Sequence, residues 1–180
     1  SLLSVSETGS SYSYKSKYGT TRYTVDTTFY FNGIANGDED IPSSSDNQEF
    51  TFLKILNKAR IEKGLNPLTI DRRLSRASRY HSYDMGTQGY FKHDSYDRRS
   101  ECGGLEKVSS FRNRLVKFTG SNGGENIAAG NESAERTYKQ WFNSPGHDRN
   151  MFNKNFTHIG IGYIHIPGSE YRNYWTTDFR

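Results

Sequence analysis

The residues best suited to chemistry are two histidines and one glutamate that stand beside predicted turns. His147 follows the turn Ser144-Pro145-Gly146, which closes an aromatic-rich helix. His93 also follows a turn-rich aromatic segment, and Glu125 comes after Gly123-Gly124 and before an apolar run. Loops on a rigid scaffold concentrate working residues. A glutamate drawn toward the interior needs a partner for its charge, and a histidine is a natural one.

Two imidazoles and one carboxylate can support two kinds of chemistry. They suit proton transfer, because histidine titrates near neutrality and a carboxylate nearby raises its pKa. They are also a set of side chains that can bind a metal. The three residues lie far apart in the sequence, and no His-Glu-x-x-His motif joins any of them. Their spacing therefore leaves both interpretations open.

The other histidines and nucleophiles have simpler explanations. His81 lies on the apolar stripe of a predicted helix and is expected in the core, whereas His158 and His165 are predicted on the surface or on a sheet face. Ser144 is expected to be a turn residue at a helix end, since no Gly-x-Ser-x-Gly elbow surrounds it. Cys102 has flexible glycine neighbours but no cation clearly aimed at it, so no catalytic role is expected.

Composition limits the class of protein. The 180 residues suffice for one domain with a core that needs no disulfide. The single cysteine excludes an intramolecular disulfide and a cysteine zinc cluster. The net charge is +4 and the pI about 9.1, with basic and acidic residues interleaved, so no nucleic-acid partner is expected. No apolar run approaches the roughly 20 residues of a membrane span, and a removed leader stays an open alternative.

The first quarter of the chain differs in composition from the rest. Residues 1–21 are rich in Ser, Tyr, Gly and Thr and are predicted to form a flexible leader. Residues 22–34 alternate between large side chains and threonines, which predicts a strand. Residues 37–46 are acidic and then serine-rich, which predicts a linker.

Helix signals begin at Asp46, where Asp-x-x-Glu has the form of a capping box. Apolar spacing and Gly or Pro stops predict four helices, at about 46–63, 71–88, 111–118 and 133–142. Alternation over 159–163 and 171–179, around a Pro-Gly-Ser turn, predicts a C-terminal hairpin. Helices followed by a hairpin, without a βαβ rhythm, indicate the α+β class.

Five segments in order resemble the CAP superfamily, which includes cysteine-rich secretory proteins, antigen 5 proteins and pathogenesis-related proteins and is also called the SCP domain. The similarity is to its short bacterial single-domain form and covers about residues 46–180. The segments are Leu-Asn-Lys-Ala-Arg at 56–60 ahead of Gly-Leu-Asn-Pro-Leu at 64–68, Tyr-Phe-Lys-His-Asp-Ser at 90–95, Gly-Glu-Asn-Ile-Ala at 124–128, Trp-Phe-Asn-Ser-Pro-Gly-His-Asp-Arg-Asn at 141–150, and Phe156 followed by Ile-Gly-Ile-Gly at 159–162.

This resemblance implies a three-layer α-β-α sandwich with a central antiparallel sheet, and a surface cleft lined by two histidines and two glutamates. His93 and His147 match the histidines, and Glu125 matches the first acid. The position of the second acid holds Ser144, as is usual for the short bacterial form. The resemblance therefore implies three metal ligands, His93, His147 and Glu125, which would hold zinc or another divalent metal with water in the open position.

The resemblance also implies an extracellular or cell-surface protein. Residues 46–180 would form the CAP/SCP domain, and residues 1–45 a leader or tether, with a candidate extra strand, that joins it to a removed export signal or lipid anchor. We expect a monomeric binding module for a lipid or sterol, or for a host or matrix component, rather than an enzyme, because no activated nucleophile accompanies the incomplete cleft. Two alternatives stay open. One is a metal-dependent, peptidase-like hydrolase that uses His93, His147 and Glu125, and the other is a structural or partner-binding role.

Overall fold

The computed structural model describes residues 34–98 and 104–180, and the backbone of residues 11–16 and 19–24. The described residues form five helices and eight strands. The helices are α1 Asp46–Glu62, α2 Arg72–Gln88, α3 Phe111–Thr119, α4 Ala134–Phe142 and α5 Pro145–Met151. The strands are β1 Ser11–Ser16, β2 Gly19–Thr24, β3 Thr69–Ile70, β4 Ser95–Arg98, β5 Leu105–Ser109, β6 Gly124–Ala129, β7 His158–His165 and β8 Asn173–Phe179.

A four-stranded sheet with the order β3-β7-β8-β6 lies at the centre of the fold. Strand β8 pairs antiparallel with β7 on one side and with β6 on the other, whereas the two-residue β3 pairs parallel with β7. The predicted C-terminal hairpin is confirmed, since β7 and β8 are the two inner strands. Every residue of β8 is buried, as expected for an inner strand that is covered on both faces.

One face of the sheet is covered by α1, α4 and α5. Phe52 and Leu56 of α1 pack with Trp141 of α4 and with Trp175 and Phe179 of β8, and all five side chains are fully buried. The rings of Phe52 and Trp141 meet edge-on with centroids 5.3 Å apart, an arrangement that aromatic pairs prefer. These side chains belong to the largest of the three apolar clusters among the described residues.

The other face is covered by α2, whose backbone lies directly on β7. A Cβ atom at Gly160 would lie 2.0 Å from the carbonyl carbon of Leu74, and one at Gly162 would lie 2.3 Å from the backbone nitrogen of Arg79. Glycine is therefore required at both positions for this close approach. Helix α3 packs in turn against α2. The sheet lies between two helical layers, which confirms the three-layer α-β-α sandwich.

The four predicted helices are confirmed, but the predicted N-cap of α1 is wrong by one residue. Ser45, not Asp46, is the N-cap, and its side chain accepts a hydrogen bond from the backbone N–H of Gln48. Glu49 does not complete a capping box. Its buried carboxylate pairs with Arg79 at 2.5 Å and accepts the backbone N–H of Tyr163 at 3.0 Å, so these tertiary contacts replace the local hydrogen bond that a capping box would require.

The segment predicted as a linker, residues 37–46, instead packs on the domain together with Ala35 just before it. Ala35 and Ile41 are buried against α2 and α3. Gly37 has φ +99°, and a Cβ there would lie 2.2 Å from the backbone oxygen of Lys117. Arg76 of α2 donates to the backbone oxygens of Gly37 and Glu39. Two apolar side chains and these backbone acceptors are enough to anchor a stretch whose composition resembles a loop.

The predicted leader contains paired strands. The backbones of β1 and β2 form an antiparallel two-stranded sheet in which Ser11 lies opposite Thr24. These strands pair with each other, not with the central sheet. Of the strand predicted over 22–34, residues 22–24 belong to β2, and residues 25–33 lie outside the described part of the chain.

Within the described part of the chain, no helix has the length and apolar character that crossing a membrane requires.

Candidate functional site

Glu125 is the second residue of β6, which is an edge strand of the central sheet, and its side chain faces the interior. Its side chain is only 1% exposed, and its register partner on β8 is Asp178. The two preceding glycines allow the start of β6 to approach its neighbours closely. A Cβ at Gly123 would lie 1.9 Å from the backbone oxygen of Phe179, and one at Gly124 would lie 3.0 Å from the ring of Phe156. The sequence predicted a bend before Glu125, and the structure shows a strand that begins in tight contact with its neighbours.

Both carboxylate oxygens of Glu125 are engaged. Oε1 lies 2.9 Å from Nδ1 of His93, and Oε2 accepts a hydrogen bond from Nη2 of Arg114. Arg114 is itself only 1% exposed, and its Nη1 donates to the backbone oxygen of His93 at 3.1 Å and to Oγ of Ser95 at 2.8 Å. One guanidinium therefore fixes the glutamate and the segment that carries the histidine.

Burial and the charges of the ion pair shift the pKa values of the surrounding groups. Burial by itself would raise the pKa of Glu125, but the Arg114 guanidinium outweighs it and holds that pKa at about 2. Burial and the charge of Glu125 raise the pKa of Asp178 well above its usual range, which favours the protonated carboxyl. Burial lowers the pKa of His81 to about 3. The Glu125–Arg114 ion pair is therefore the buried charge pair that directly adjoins His93.

His93 is oriented by this carboxylate and half-exposed. Glu125 is ionised and can only accept hydrogen bonds, so Nδ1 of His93 must be the donor. In the neutral ring, Nε2 then carries the lone pair. The His93 side chain is 49% exposed and its ring lies 6.2 Å from that of Phe111. The geometry presents a histidine whose one nitrogen is held by the protein and whose other nitrogen remains for a ligand, a proton or a metal.

His147 lies in a short helix, α5, where the sequence predicted a position just past a turn. Ser144 is the N-cap residue of α5 and Pro145 occupies its first turn, a position where the missing N–H of proline costs no helical hydrogen bond. Nδ1 of His147 lies 2.8 Å from Oγ of Ser144, and its ring stacks on that of Trp141 with centroids 6.0 Å apart. Ser144 lies in the turn after α4, as predicted, with its backbone N–H donating to the backbone oxygen of Trp141 at 3.1 Å, and its hydroxyl also contacts the histidine.

His147 reaches Glu125 through two asparagines rather than by direct contact. Nδ2 of Asn126 donates to the backbone oxygen of His147 at 3.0 Å, and Nδ2 of Asn150 donates to the backbone oxygen of Glu125 at 3.1 Å and to Oδ1 of Asn126 at 2.8 Å. Burial and the nearby His93 lower the pKa of His147. The structure therefore brings His93 and Glu125 together and docks the helix that carries His147 against the same strand.

An open groove of about 560 Å³ lies beside His93. His147 does not line it. The groove is lined by Lys92, His93, Asp94, Tyr96, Phe111, Arg112, Gly123, Gly124, Glu125 and Asn150. Its volume falls within the range of roughly 300–1,000 Å³ that small-ligand sites occupy.

The residues proposed as metal ligands do not fit a three-ligand site in this arrangement. Glu125 uses both oxygens within the protein, and His147 bonds Ser144. Within residues 34–98 and 104–180, no three His, Cys, Asp or Glu side chains are grouped so that they could hold a metal ion. Two imidazole nitrogens, Nε2 of His93 and Nε2 of His147, have no hydrogen bond in this described part.

The other predicted roles can be compared with their positions. His81 is fully buried, as predicted, and its Nε2 donates to the backbone oxygen of Lys92 at 2.8 Å. His165 is exposed and donates from Nδ1 to Asn173, and His158 is half-buried beside Thr157. Cys102 lies outside the described residues.

Sequence reasoning missed Arg114, although a signal for it exists. The helix has an apolar stripe with the spacing i, i+3, i+4, i+7, formed by Phe111, Leu115 and Phe118. Arg114 occupies the i+3 position on this otherwise apolar stripe. A charged residue there needs a buried counter-charge. Asn126 and Asn150 were also missed. Both lie inside recognised segments, but neither residue type indicates which backbone groups it will bind.

Comparisons with known proteins agree with this architecture. The family model for the cysteine-rich secretory protein family, CAP, matches residues 53–179. The Bacillus subtilis protein YkwD, described as uncharacterized, is 38% identical over 138 residues, which are 77% of this chain and 49% of YkwD. This chain therefore spans about half the length of that relative.

Two solved structures share the fold. An outer surface protein from Borrelia burgdorferi has a TM-score of 0.61 at 19% identity, covering 74% of this chain and 92% of its own. An extracellular protein containing a SCP domain from Bacillus anthracis has a TM-score of 0.57 at 24% identity, covering 88% of this chain and 51% of its own. With the sandwich, the ordered segments and the family model in agreement, the chain belongs to the cysteine-rich secretory protein (CAP) family.

Proposed function

We propose that this chain is a binding module that captures a ligand in the groove beside His93. The observation that supports it most is the state of Glu125, whose two oxygens are held by His93 and Arg114 in a side chain that is 1% exposed. A buried carboxylate whose pKa is held at about 2 is a weak base for activating water. Among the described residues that line the groove there is no serine, threonine or cysteine to act as a nucleophile.

The character of the groove favours one of the two ligand classes expected from the sequence. Sites for sterols or fatty acids are lined mainly by apolar side chains. Here Tyr96 and Phe111 supply the aromatic surface, and most of the remaining lining is charged or polar. A polar host or matrix component therefore fits the groove better than a lipid or sterol does.

The proposed place of action is outside the cell or at its surface, with the segment before residue 34 as a tether to a membrane anchor. The support is the description of the two similar structures as an outer surface protein and an extracellular protein. A binding module at that location would meet matrix polymers directly.

Replacing His93 with alanine is expected to weaken ligand binding at least about tenfold, because an exposed, oriented ring at the groove would be removed. The measurement is titration of the purified chain with a panel of soluble matrix oligosaccharides, sterols and fatty acids, followed by NMR or calorimetry. His158→Ala is the matched control, since this half-buried histidine lies on β7 outside the groove. If no probe in the panel perturbs the groove residues, the proposed function is refuted.

A metal-dependent hydrolase is the second candidate, and one observation favours it. A carboxylate bound to one nitrogen of a histidine orients the ring and strengthens the other nitrogen as a metal ligand, and His93 has this arrangement with Glu125. In this case His93 and His147 would hold zinc or another divalent ion, which would supply Lewis-acid chemistry.

Metal content measured after zinc exposure, with the folded state checked by circular dichroism, tests that candidate. A stoichiometric ion that disappears in the His93→Ala/His147→Ala double variant is expected if the hydrolase assignment is correct. A wild-type chain that takes up no zinc, or a double variant with unchanged zinc, would eliminate it.

A further inference from the structure

We propose that the groove recognises an anionic group, a phosphate or a carboxylate, carried beside a flat or apolar face of the ligand, and that Lys92 and Arg112 bind it. This inference rests on the proposed binding function and specifies its ligand. It follows from three features of the lining: its carboxylates are paired within the protein, its two cations lie beside aromatic rings, and those rings also line the groove.

The acidic side chains of the groove are already matched within the protein. Glu125 is paired with the buried Arg114. Asp94 lies 2.5 Å from Nζ of Lys107 and accepts the backbone N–H of Phe111 at 3.0 Å. Slight burial would raise the pKa of Asp94, but the contact with Lys107 and the Phe111 N–H lower it. Neither carboxylate is left to attract a cationic ligand.

The basic side chains of the groove are, by contrast, not matched. In the described part of the chain, neither Lys92 nor Arg112 lies within ion-pair distance of a carboxylate. The groove therefore carries two positive charges in addition to its neutral pairs. A site with two such cations favours an anion, because charge-assisted hydrogen bonds are stronger than those between neutral groups.

Aromatic rings hold both cations in the groove. Nζ of Lys92 lies 5.3 Å from the centroid of the Tyr96 ring, and the guanidinium carbon of Arg112 lies 5.6 Å from that of Phe111. Cations within about 6 Å of a ring are attracted to its face. Both rings also line the groove, so a ligand that reaches the cations meets aromatic surface beside them.

His93 lines the same groove as the two cations and the two rings. Its ring lies 6.2 Å from that of Phe111, and its Nδ1 is held by Glu125, so its Nε2 is available to a ligand oxygen. The combination of two cations, two rings and an oriented imidazole suits a ligand with one charged end and one flat or apolar face. A sugar ring bearing a phosphate or a carboxylate has both features.

The test uses phenyl phosphate, benzoate and benzyl alcohol as probes, titrated into the full chain and followed by NMR shifts of groove residues. Phosphate and carboxylate are thereby separated from each other and from the neutral aromatic probe. We expect one or both anions to bind and the Lys92→Gln/Arg112→Gln variant to weaken their binding about tenfold or more. Benzyl alcohol is expected to bind more weakly than either anion.

The matched control is Lys54→Gln/Arg136→Gln, which removes the same charge outside the groove. Lys54 lies 5.6 Å above the ring of Phe50 on α1, so it reproduces the geometry of Lys92, and Arg136 is an exposed residue of α4. Binding in this control is expected to stay within about twofold of wild type, because exposed charges beyond a Debye length are largely screened. Equal weakening in both double variants would overturn the inference and indicate attraction by net charge.

The outcomes separate this inference from the function on which it rests. If a neutral oligosaccharide perturbs the groove residues and the anionic probes do not, the anion inference is wrong and the binding module stands. If anionic lipid vesicles bind the chain but soluble anions leave the groove unperturbed, the surface is an electrostatic membrane contact and the inference is also wrong. If no probe of any kind perturbs the groove, both proposals are wrong.

Discussion

Replacing Arg114 with methionine is expected to destabilise the protein by about 3–5 kcal/mol, the typical cost of leaving a buried charge without its partner. The substitution leaves Glu125 at 1% exposure with the His93 ring as its remaining side-chain hydrogen-bond partner. It also removes the hydrogen bonds to Ser95 and to the backbone of residue 93. Urea denaturation at pH 7 measures the change in the free energy of unfolding.

A double-mutant cycle tests whether the loss belongs to the ion pair. Arg114→Met/Glu125→Gln is expected to be more stable than the sum of the two single losses predicts, because the two residues are in direct contact. Additive losses, or a loss below about 1 kcal/mol for Arg114→Met, would show that the pair does not stabilise this fold.

The effect of Arg114→Met is expected to depend on pH in a defined direction. In wild type the pKa of Glu125 is lowered from 4.5 to about 2. The resulting stabilisation is complete above 4.5, the pKa of Glu125 in the unfolded chain, and is lost as the pH falls through about 2. In the variant, burial without the guanidinium raises the pKa of Glu125, so the gap in stability between wild type and variant should narrow as the pH falls from neutrality through 4.5 toward 2. The raised pKa of Asp178 acts in the opposite direction in wild type, so the comparison between proteins is needed rather than one pH profile.

Replacing Arg60 with methionine is expected to cost about 3 kcal/mol or more, because buried carbonyl groups would lose their donor. Arg60 is fully buried. Its guanidinium donates to four backbone oxygens, those of Asn66, Met151, Asn153 and Phe156, at 2.7–3.2 Å. These oxygens belong to the segment after α1 and to the end of α5 with the loop beyond it, so one side chain holds α5 against the domain.

Loss of Arg60 is expected to reach the functional site as well. Helix α5 carries His147 and Asn150, and Asn150 both lines the groove and supports Glu125. Amide exchange should therefore accelerate in α5 before the sheet opens. Lys63→Met is the control, since this exposed residue lies at the end of α1 over the rings of Phe142 and Phe152, and its loss should cost less than about 1 kcal/mol. Similar losses in both variants would refute the specific role of Arg60.

The helices and the terminal hairpin were predictable because local chemistry determines their ends. Asp71 caps α2 and Gly89 ends it with φ +73°, and the glycine-spaced alternation of β7 is visible in the sequence. Strand β6 was not predicted as a strand because Glu125, Asn126, Ile127 and Ala128 are all buried, so no alternation marks it.

The candidate site was predictable only in part. Family-like segments identify His93, Glu125 and His147 as the residues to examine, and the structure joins the first two directly. Arg114 can pair with Glu125 only when α3 is packed against α2, and Asp178 faces Glu125 only through the register of β6 with β8. Contacts of this kind depend on tertiary geometry, which the spacing of residues along the chain does not encode.

The central position of β7 and β8 has a consequence for how the chain reaches its native state. Strand β6 and the two-residue β3 have no partner in the sheet until residues 158–179 are present, and the backbone of α2 rests on the same two strands. During vectorial synthesis or translocation, the helices therefore emerge without the surface on which they pack. Contacts of such long sequence separation form late. The helices and β6 are therefore expected to lack stable tertiary packing until residues 158–179 are present.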